Sequence, residues 1–282
     1  MRKVRLANYV LGLEGVAVIR NWLRGDEIVA AQVRELREFA ATLDQNPGNV
    51  EFELHERDVA GGYAAWSVTY DQPVNPLVNV EQPVVRSFID ATSPGRALDA
   101  ACGTGRHTEY LCLRGFDTTG VDVTPEMLAL AREKIPTARF AVGDLASLDF
   151  PDATFDLAVC ALALDHCTNL GRCVGEIARV VRPRGTVIIS VFHPTSAMLG
   201  GGAFYRGADG ERGIVRKADY GIADYITAFL QSGLEVTACV ECPWGEAEVG
   251  MMQGASALLK PETLRAALIG IPCALVWQLT RH

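Results

Sequence analysis

The chain has 282 residues, of which 49% are hydrophobic and 21% are charged, so a folded protein with a sizeable buried core is expected. Its 26 Lys and Arg against 34 Asp and Glu give a net charge of −8, which disfavours contact with a phosphate backbone and predicts no nucleic-acid partner. No apolar run reaches the ~20 residues that cross a bilayer, so no membrane partner is expected.

The N-terminal segment begins with basic residues, but Asn8 and Glu14 interrupt the apolar stretch that a secretory signal would need. Eight cysteines are scattered through apolar surroundings, which is typical of reduced, buried thiols in a cytoplasmic protein. Cys239 and Cys242 have the spacing of a metal pair, but they lie in a predicted strand, where residues three apart face opposite sides. No metal site is therefore predicted.

Residues 4–43 have the periodicity of two amphipathic helices, separated by Gly25 and Asp26, which supply a helix stop and a helix start. The stripes fit either a hairpin that packs on the rest of the chain or a homodimer contact through these helices. The first is favoured, because no charge pattern specifies a partner. The apolar positions are Leu6, Val10, Leu13 and Ala17, followed by Val29, Val33, Leu36, Ala40 and Leu43.

A turn signal at Asn46-Pro47-Gly48 predicts a boundary between an N-terminal helical extension, residues 1–48, and a main domain, residues 49–282. After it, Val50, Phe52 and Leu54 alternate with polar residues, which predicts a short, half-exposed strand.

From residue 96 onwards, predicted strands and helices alternate, which indicates an α/β protein with a mostly parallel sheet and helices on both faces. Two long segments, at about residues 193–220 and 243–270, interrupt the alternation and are predicted to cover the substrate, since ligands bind outside the carboxyl ends of parallel strands. The predicted strands are 96–101, 118–123, 138–142, 155–161, 186–192, 234–242 and 274–280.

A glycine-containing turn follows the first of these strands, in the run Asp99-Ala100-Ala101-Cys102-Gly103-Thr104-Gly105. Such a turn lets backbone approach a ligand closely, and the following helix start offers free N–H groups to an anionic group. Asp122 ends the next strand, where an acid commonly accepts hydrogen bonds from ribose hydroxyls. A nicotinamide site would need a third glycine at Thr108, so another nucleoside cofactor is favoured.

Four runs in this order resemble the class I S-adenosylmethionine-dependent methyltransferases, over about residues 60–280: LDAACGTGRHT, GVDVTPEMLALAR, VGDLASLDFPDATFDLAVCALALDH and ARVVRPRGTVIISVFHP. The resemblance implies a Rossmann-like seven-stranded sheet whose last strand is antiparallel, and S-adenosyl-L-methionine as cofactor.

The resemblance also implies roles for individual residues. The family usually has glycine where this chain has Ala101, and a methyl group there is expected to leave binding intact. The implied cofactor residues are Asp99, Gly103 and Gly105 around the methionine part, Asp122 on the ribose, Val123 and Met127 beside the adenine, Asp144 with Leu145 at its amino group, Ala161 at the methionine end, and Tyr63 and Tyr70 in a segment that closes over the cofactor.

The acceptor is expected to be a small molecule, methylated on oxygen first and on nitrogen second. A hydroxyl acceptor needs a base, and His166 and His193, which follow two strands at their carboxyl ends, are the catalytic candidates. An alternative is a protein that binds S-adenosylmethionine without transferring its methyl group, for example in a cyclisation.

Overall fold

The computed structural model describes residues 2–45, 49–72, 75–252 and 258–282. The predicted turn at Asn46-Pro47-Gly48 lies outside the described residues.

A seven-stranded sheet forms the centre of the molecule, in the order β10-β11-β7-β6-β3-β4-β5. β11 runs antiparallel to both of its neighbours, whereas the pairs from β7 to β5 are all parallel, so the predicted fold class is confirmed. The strands are β3 (Arg96–Ala100), β4 (Asp117–Asp122), β5 (Arg139–Val142), β6 (Phe155–Ala161), β7 (Val181–Phe192), β10 (Leu234–Pro243) and β11 (Pro272–Arg281).

Helices cover both faces of this sheet, because its central strands are apolar on both sides. On β3, Leu98 packs towards the face that carries α7 and α9, and Ala97 packs towards the face that carries α4 and α5. The helices are α4 (Pro76–Asp90), α5 (Arg106–Leu113), α6 (Pro125–Lys134), α7 (Leu170–Val180) and α9 (Ile222–Gln231).

A second sheet of four short strands lies beside the first, in the order β1-β2-β9-β8. The strand predicted after residue 48 is β2 of this sheet, and the first long insertion contributes the hairpin β8–β9. β2 pairs parallel to β9. β1 pairs antiparallel to β2, with Val4 opposite Phe52. The strands are β1 (Arg2–Arg5), β2 (Glu51–Arg57), β8 (Phe204–Arg206) and β9 (Arg212–Val215).

The two predicted N-terminal helices are α1 (Leu6–Asn21) and α2 (Asp26–Thr42). The stripe of α1 packs in one cluster with α10 (Glu246–Gly250) and α11 (Pro261–Leu268). The Arg20 guanidinium donates to the carbonyl oxygens of Ala266, Ala267 and Ile269 at 2.7 to 3.0 Å. The apolar face of α1 is therefore covered by other residues of the same chain, whereas no residue of α2 is buried. The domain boundary at residue 48 and the homodimer stay predictions.

Cys239 is exposed and Cys242 is buried, as predicted for residues three apart on a strand. No helix in the described ranges is long and apolar enough to cross a membrane.

Glu14 is a buried acid on α1, with 1% of its surface exposed and no hydrogen-bond partner for Oε2 among the described residues. Burial, reinforced by Glu35 and partly opposed by Lys260, raises the pKa of Glu14 to about 7. A raised pKa in the folded state means that the folded protein favours the protonated form of Glu14. The free energy of unfolding should therefore fall as the pH rises from about 4.5 to about 7.

Glu14→Gln should remove this loss, making the protein more stable than the wild type at pH 8 by roughly 1 to 3 kcal/mol but not at pH 4.5. Urea unfolding at the two pH values measures the difference. Glu27→Gln, at an exposed position on α2, is the matched control and should not change the pH profile. Equal stabilisation by Glu14→Gln at both pH values would contradict the expected titration.

Candidate active site

Two neighbouring cavities open at the carboxyl ends of β3, β4 and β6. The smaller has a volume of about 270 Å³ and the larger a volume of about 960 Å³. Four residues line both: Tyr63, Tyr70, Leu162 and His166. Because ligands bind at this edge of an open α/β sheet, the small cavity is the candidate cofactor site and the large cavity is the candidate acceptor site.

The turn between β3 and α5 forms part of the small cavity. Gly103 has a φ of +55°, and a Cβ built there would meet nothing within 4 Å, which leaves room for a ligand against the backbone. Gly105 has a φ of +88°, but a Cβ there would come within 2.6 Å of Ile135, so this glycine serves packing and lies outside the described lining. Ala101 lines the cavity and adopts a left-handed φ of +61° despite its methyl group.

Asp122 lines the same cavity at the end of β4. Its Oδ2 accepts from the Gly103 N–H at 2.8 Å and its Oδ1 from the Thr124 N–H at 2.8 Å. Burial raises the pKa of Asp122, although the N–H groups of Thr124 and Gly103 oppose the shift. The carboxyl group is thus held in one orientation, and each oxygen keeps a lone pair for a ligand.

Other residues implied by the resemblance are divided between the cavity and the core. Asp144, Leu145, Val123 and Ala161 all line the small cavity, and Asp144 Oδ1 accepts from the Ala146 N–H at 2.8 Å. Met127 is 1% exposed and lies outside the described lining.

Asp99 is also buried rather than cavity-lining, with 2% of its surface exposed. Its Oδ2 accepts from the Thr108 hydroxyl at 2.6 Å, which ties β3 to α5. Burial raises the pKa of Asp99, while His107 and Thr108 oppose the shift. Its predicted role at the methionine part stays a prediction.

The predicted closing segment is α3 (Val59–Trp66) with the residues up to Gln72, here called the aromatic lid. The Tyr63 and Trp66 rings stack with centroids 5.7 Å apart, and the Trp66 and Tyr70 rings meet edge to face at 5.0 Å. Asp71 accepts from the Thr104 hydroxyl at 2.9 Å and pairs with Lys134. These bonds fix the end of the lid to the glycine turn and to α6.

His166 lies at the junction of the two cavities. Its Nδ1 is 2.8 Å from the carbonyl oxygen of Arg216 and its Nε2 is 3.0 Å from the Tyr63 hydroxyl. A carbonyl oxygen only accepts, so Nδ1 carries the hydrogen and donates it, and Nε2 of the neutral ring accepts from Tyr63. The geometry therefore turns Nε2 of His166 towards the junction, where the Tyr63 hydroxyl is its partner.

His193 occupies a different environment. It is 3% exposed, its Nδ1 accepts from the Thr195 N–H at 3.1 Å at the start of α8 (Pro194–Met198), and its Nε2 lies 3.4 Å from Glu241. Among the residues that the structure describes, His193 does not line either cavity. The structure therefore does not bring the two candidate bases together, because His193 caps a helix instead.

A buried ionic cluster beside the glycine turn has no counterpart in the sequence-based predictions. Glu81 on α4 is fully buried and accepts from Arg106 at 2.7 Å and from the Ser190 hydroxyl at 2.6 Å, with His107 at 3.5 Å. Burial alone would raise the pKa of Glu81, but Arg106, His107 and Ser190 outweigh it and lower that pKa to about 2. The partners are 25 and 109 positions away along the chain, so no local pattern could identify the cluster.

Comparisons with known proteins agree with this architecture. Residues 98–189 match the family of methyltransferase domains. The malonyl-[acyl-carrier protein] O-methyltransferase of Serratia marcescens is 33% identical over 187 residues, which cover 66% of this chain and 68% of that protein. The chain belongs to the class I S-adenosylmethionine-dependent methyltransferases.

A demethylmenaquinone methyltransferase from Deinococcus radiodurans is 36% identical over 120 residues, covering 40% of this methyltransferase and 50% of that protein. The S-adenosylmethionine-dependent methyltransferase from Mesorhizobium loti shares the fold, with a TM-score of 0.55 and 22% identity over 72% of this chain and 98% of that chain. The chain spans 40% to 68% of the length of five malonyl-[acyl-carrier protein] O-methyltransferases that it matches.

S-adenosylmethionine is the cofactor of this methyltransferase family, and the small cavity fits it. The open space above Gly103 admits a ligand against the backbone. The carboxyl groups of Asp122 and Asp144 offer acceptors to hydroxyl and amino donors, which the nucleoside carries. The rings of Tyr63 and Tyr70 present aromatic groups to a cationic sulfonium.

Proposed function

We propose that this methyltransferase methylates a hydroxyl oxygen of a small organic acceptor, with His166 as the general base. The supporting observation is that His166 lies at the junction of the two cavities, with Nδ1 2.8 Å from the Arg216 carbonyl oxygen and Nε2 3.0 Å from the Tyr63 hydroxyl. A hydroxyl that reacts there would lose its proton to Nε2, either directly or through the Tyr63 hydroxyl.

Asp165 supports the same role for His166. It lines the large cavity, and its Oδ1 has no hydrogen-bond partner among the described residues. Burial raises the pKa of Asp165, and the neighbouring His166 opposes that shift. The interaction is reciprocal, so an ionised Asp165 would stabilise the imidazolium that forms when His166 takes a proton.

The cofactor would be held in the small cavity by Gly103, Asp122, Asp144 and Leu145, and it supplies an electrophilic methyl carbon on its sulfonium sulfur. The lid rings of Tyr63 and Tyr70 would keep water from the junction. Exclusion of water matters because methyl transfer competes with hydrolysis and depends on alignment of the acceptor oxygen with the methyl carbon.

One relative supports oxygen as the methylated atom, and another supports a small molecule as the acceptor. The Serratia protein is named as an O-methyltransferase, and the Deinococcus protein is named for demethylmenaquinone. In this chain, the basic nitrogen of His166 is what a hydroxyl acceptor needs and a neutral amine does not.

Matched acceptors test the proposal. Methyl transfer from S-adenosylmethionine should be measured by mass spectrometry with 4-alkylphenols and the corresponding 4-alkylanilines. The phenols should be methylated by the wild type and poorly by His166→Asn, whose amide can still donate to Arg216. Transfer to the anilines alone, at equal rates in both proteins, would show that nitrogen is methylated and that no base is needed.

Asp122 gives a separate test of the cofactor site. Asp122→Ala should weaken binding of S-adenosylhomocysteine by roughly 5- to 150-fold, which corresponds to the 1 to 3 kcal/mol of a lost hydrogen bond to a buried polar group. Calorimetric titration measures the affinity. Asp149→Ala, at an exposed position outside the cavity, is the control and should bind as the wild type does. Unchanged affinity in a folded Asp122→Ala protein would remove Asp122 from the cofactor site.

A further inference from the structure

The large cavity has more room than a small hydroxylated ring needs. Its volume of about 960 Å³ lies at the upper end of the roughly 300–1,000 Å³ that is usual for sites that enclose drug-sized ligands. The junction with the small cavity is at one part of its wall, formed by Tyr63, Tyr70, Leu162 and His166. An acceptor whose hydroxyl lies at this junction would leave most of the cavity to another part of the molecule.

The remaining lining is mainly apolar, and most of it comes from segments outside the parallel sheet. The β1–α1 segment, β2, the loop that leads into β8 and the second long insertion all contribute side chains. Tyr9 and Phe204 are 37% and 47% exposed, a large unburied area for aromatic residues that lie on a cavity wall. The apolar lining residues of these segments include Leu6, Tyr9, Phe52, Phe204, Trp244 and Met252.

The charges on this wall are largely paired with one another. Lys3 and Arg5 each lie 3.3 Å from Glu51, so these three lining residues leave a small net charge on that side. The polar groups Asp165 and His166, in contrast, belong to the residues around the junction. The cavity thus has Asp165 and His166 near the site of methyl transfer, whereas its wall away from that site is mainly apolar apart from the paired charges of Lys3, Arg5 and Glu51.

We infer that the acceptor carries an extended apolar chain, and that the β1–α1 segment, β2 and the loop before β8 hold this chain in the large cavity. This inference rests on the proposed function, because the reacting hydroxyl must lie beside His166 for the chain to lie in this direction. The N-terminal residues would then be part of the acceptor site rather than an accessory to the main domain. Burial of each methylene from water is the source of the affinity.

A series of 4-alkylphenols with methyl, butyl and octyl chains tests the inference, below the concentration at which the octyl compound aggregates. Binding in the presence of S-adenosylhomocysteine can be followed by fluorescence, because Trp66 and Trp244 line the cavity. The affinity should rise by about fourfold per added methylene until the chain fills the cavity. Equal affinities across the series, or no binding of any member, would overturn the inference.

Phe204→Asp places a charge on the apolar wall at a half-exposed position, so the fold should tolerate it. It should weaken binding of octylphenol by more than tenfold and leave the affinities for methylphenol and S-adenosylhomocysteine within twofold. Leu230→Asp, on α9 and 71% exposed, makes the same kind of change away from the cavity and should alter none of these affinities. Equal weakening of all three phenols by Phe204→Asp would contradict a role in holding the chain.

The two proposals fail in different ways. Chain-length-dependent binding without methylation of any phenol would refute methyl transfer to a phenolic hydroxyl and retain the chain-binding cavity. Methylation of all three phenols with equal affinity and equal turnover would retain the reaction and refute the chain-binding cavity.

Discussion

His166→Asn should lower turnover with a phenolic acceptor by about 10²- to 10⁴-fold, the usual contribution of a general base. Asparagine can keep a donor towards the Arg216 carbonyl but has no basic nitrogen, so the loop geometry should survive. Single-turnover methyl transfer at saturating cofactor measures the chemical step. The affinity for S-adenosylhomocysteine should stay within a few-fold of the wild type, which separates loss of the base from loss of the site.

Tyr63→Phe decides whether the proton passes directly to His166. The Tyr63 hydroxyl occupies Nε2 at 3.0 Å, so it either relays the proton or gives way to the acceptor. A relay predicts that Tyr63→Phe is nearly as slow as His166→Asn, and direct transfer predicts a much smaller loss. If both variants keep wild-type turnover with intact binding, alignment alone carries the reaction and His166 is not a base.

His193→Asn is the comparison for the second candidate base. Asparagine can also cap the start of α8, so the variant should fold and should turn over at close to the wild-type rate. A loss as large as that of His166→Asn would mean that His193 reaches the acceptor in a conformation different from this one.

The parallel sheet could be predicted because each of its parts has a local signal. Strand β3 ends in a glycine turn, β4 ends at Asp122, and Thr124-Pro125 marks the start of α6. These signals depend on neighbouring residues only, and the order in which they occur is specific to one fold. The same reasoning predicted Gly103 and Asp122 at the edge of the sheet, and the family resemblance implied Asp144 and Leu145. All four line the small cavity.

Other features could not be predicted in this way, because local residues conceal them or distant residues create them. Helix α4 begins at Pro76 and contains Pro83, and these prolines conceal a helix whose buried face includes Val85 and Ile89. The pairing of β2 with β9 joins residues more than 150 positions apart, so neither segment alone indicates that the two meet in the wall of the large cavity. Likewise, Asp99 and Met127 match the family pattern, but packing buries their side chains outside the described lining.

Glu81→Ala should lower the free energy of unfolding more than any other variant proposed above. The reason is that this one carboxylate holds together the cluster of Glu81, Arg106, His107 and Ser190. Removing one member of a buried ion pair leaves its partners without compensation, at a cost of about 3 to 5 kcal/mol. In a chain of this size the melting temperature should fall by roughly 10 °C. Glu109→Ala, at an exposed position on α5, is the control and should change it little.

The pH dependence separates the charge of Glu81 from its packing. A folded-state pKa of about 2, below the usual value, means that the ionised form stabilises the fold. That contribution is complete above about pH 4.5 and is lost as the pH falls towards 2. Urea unfolding of Glu81→Gln, which keeps the side-chain volume, should therefore show a larger deficit at pH 7 than at pH 3. An equal deficit at both pH values would mean that the cluster stabilises the protein by shape alone, and the ionic account of it would be wrong.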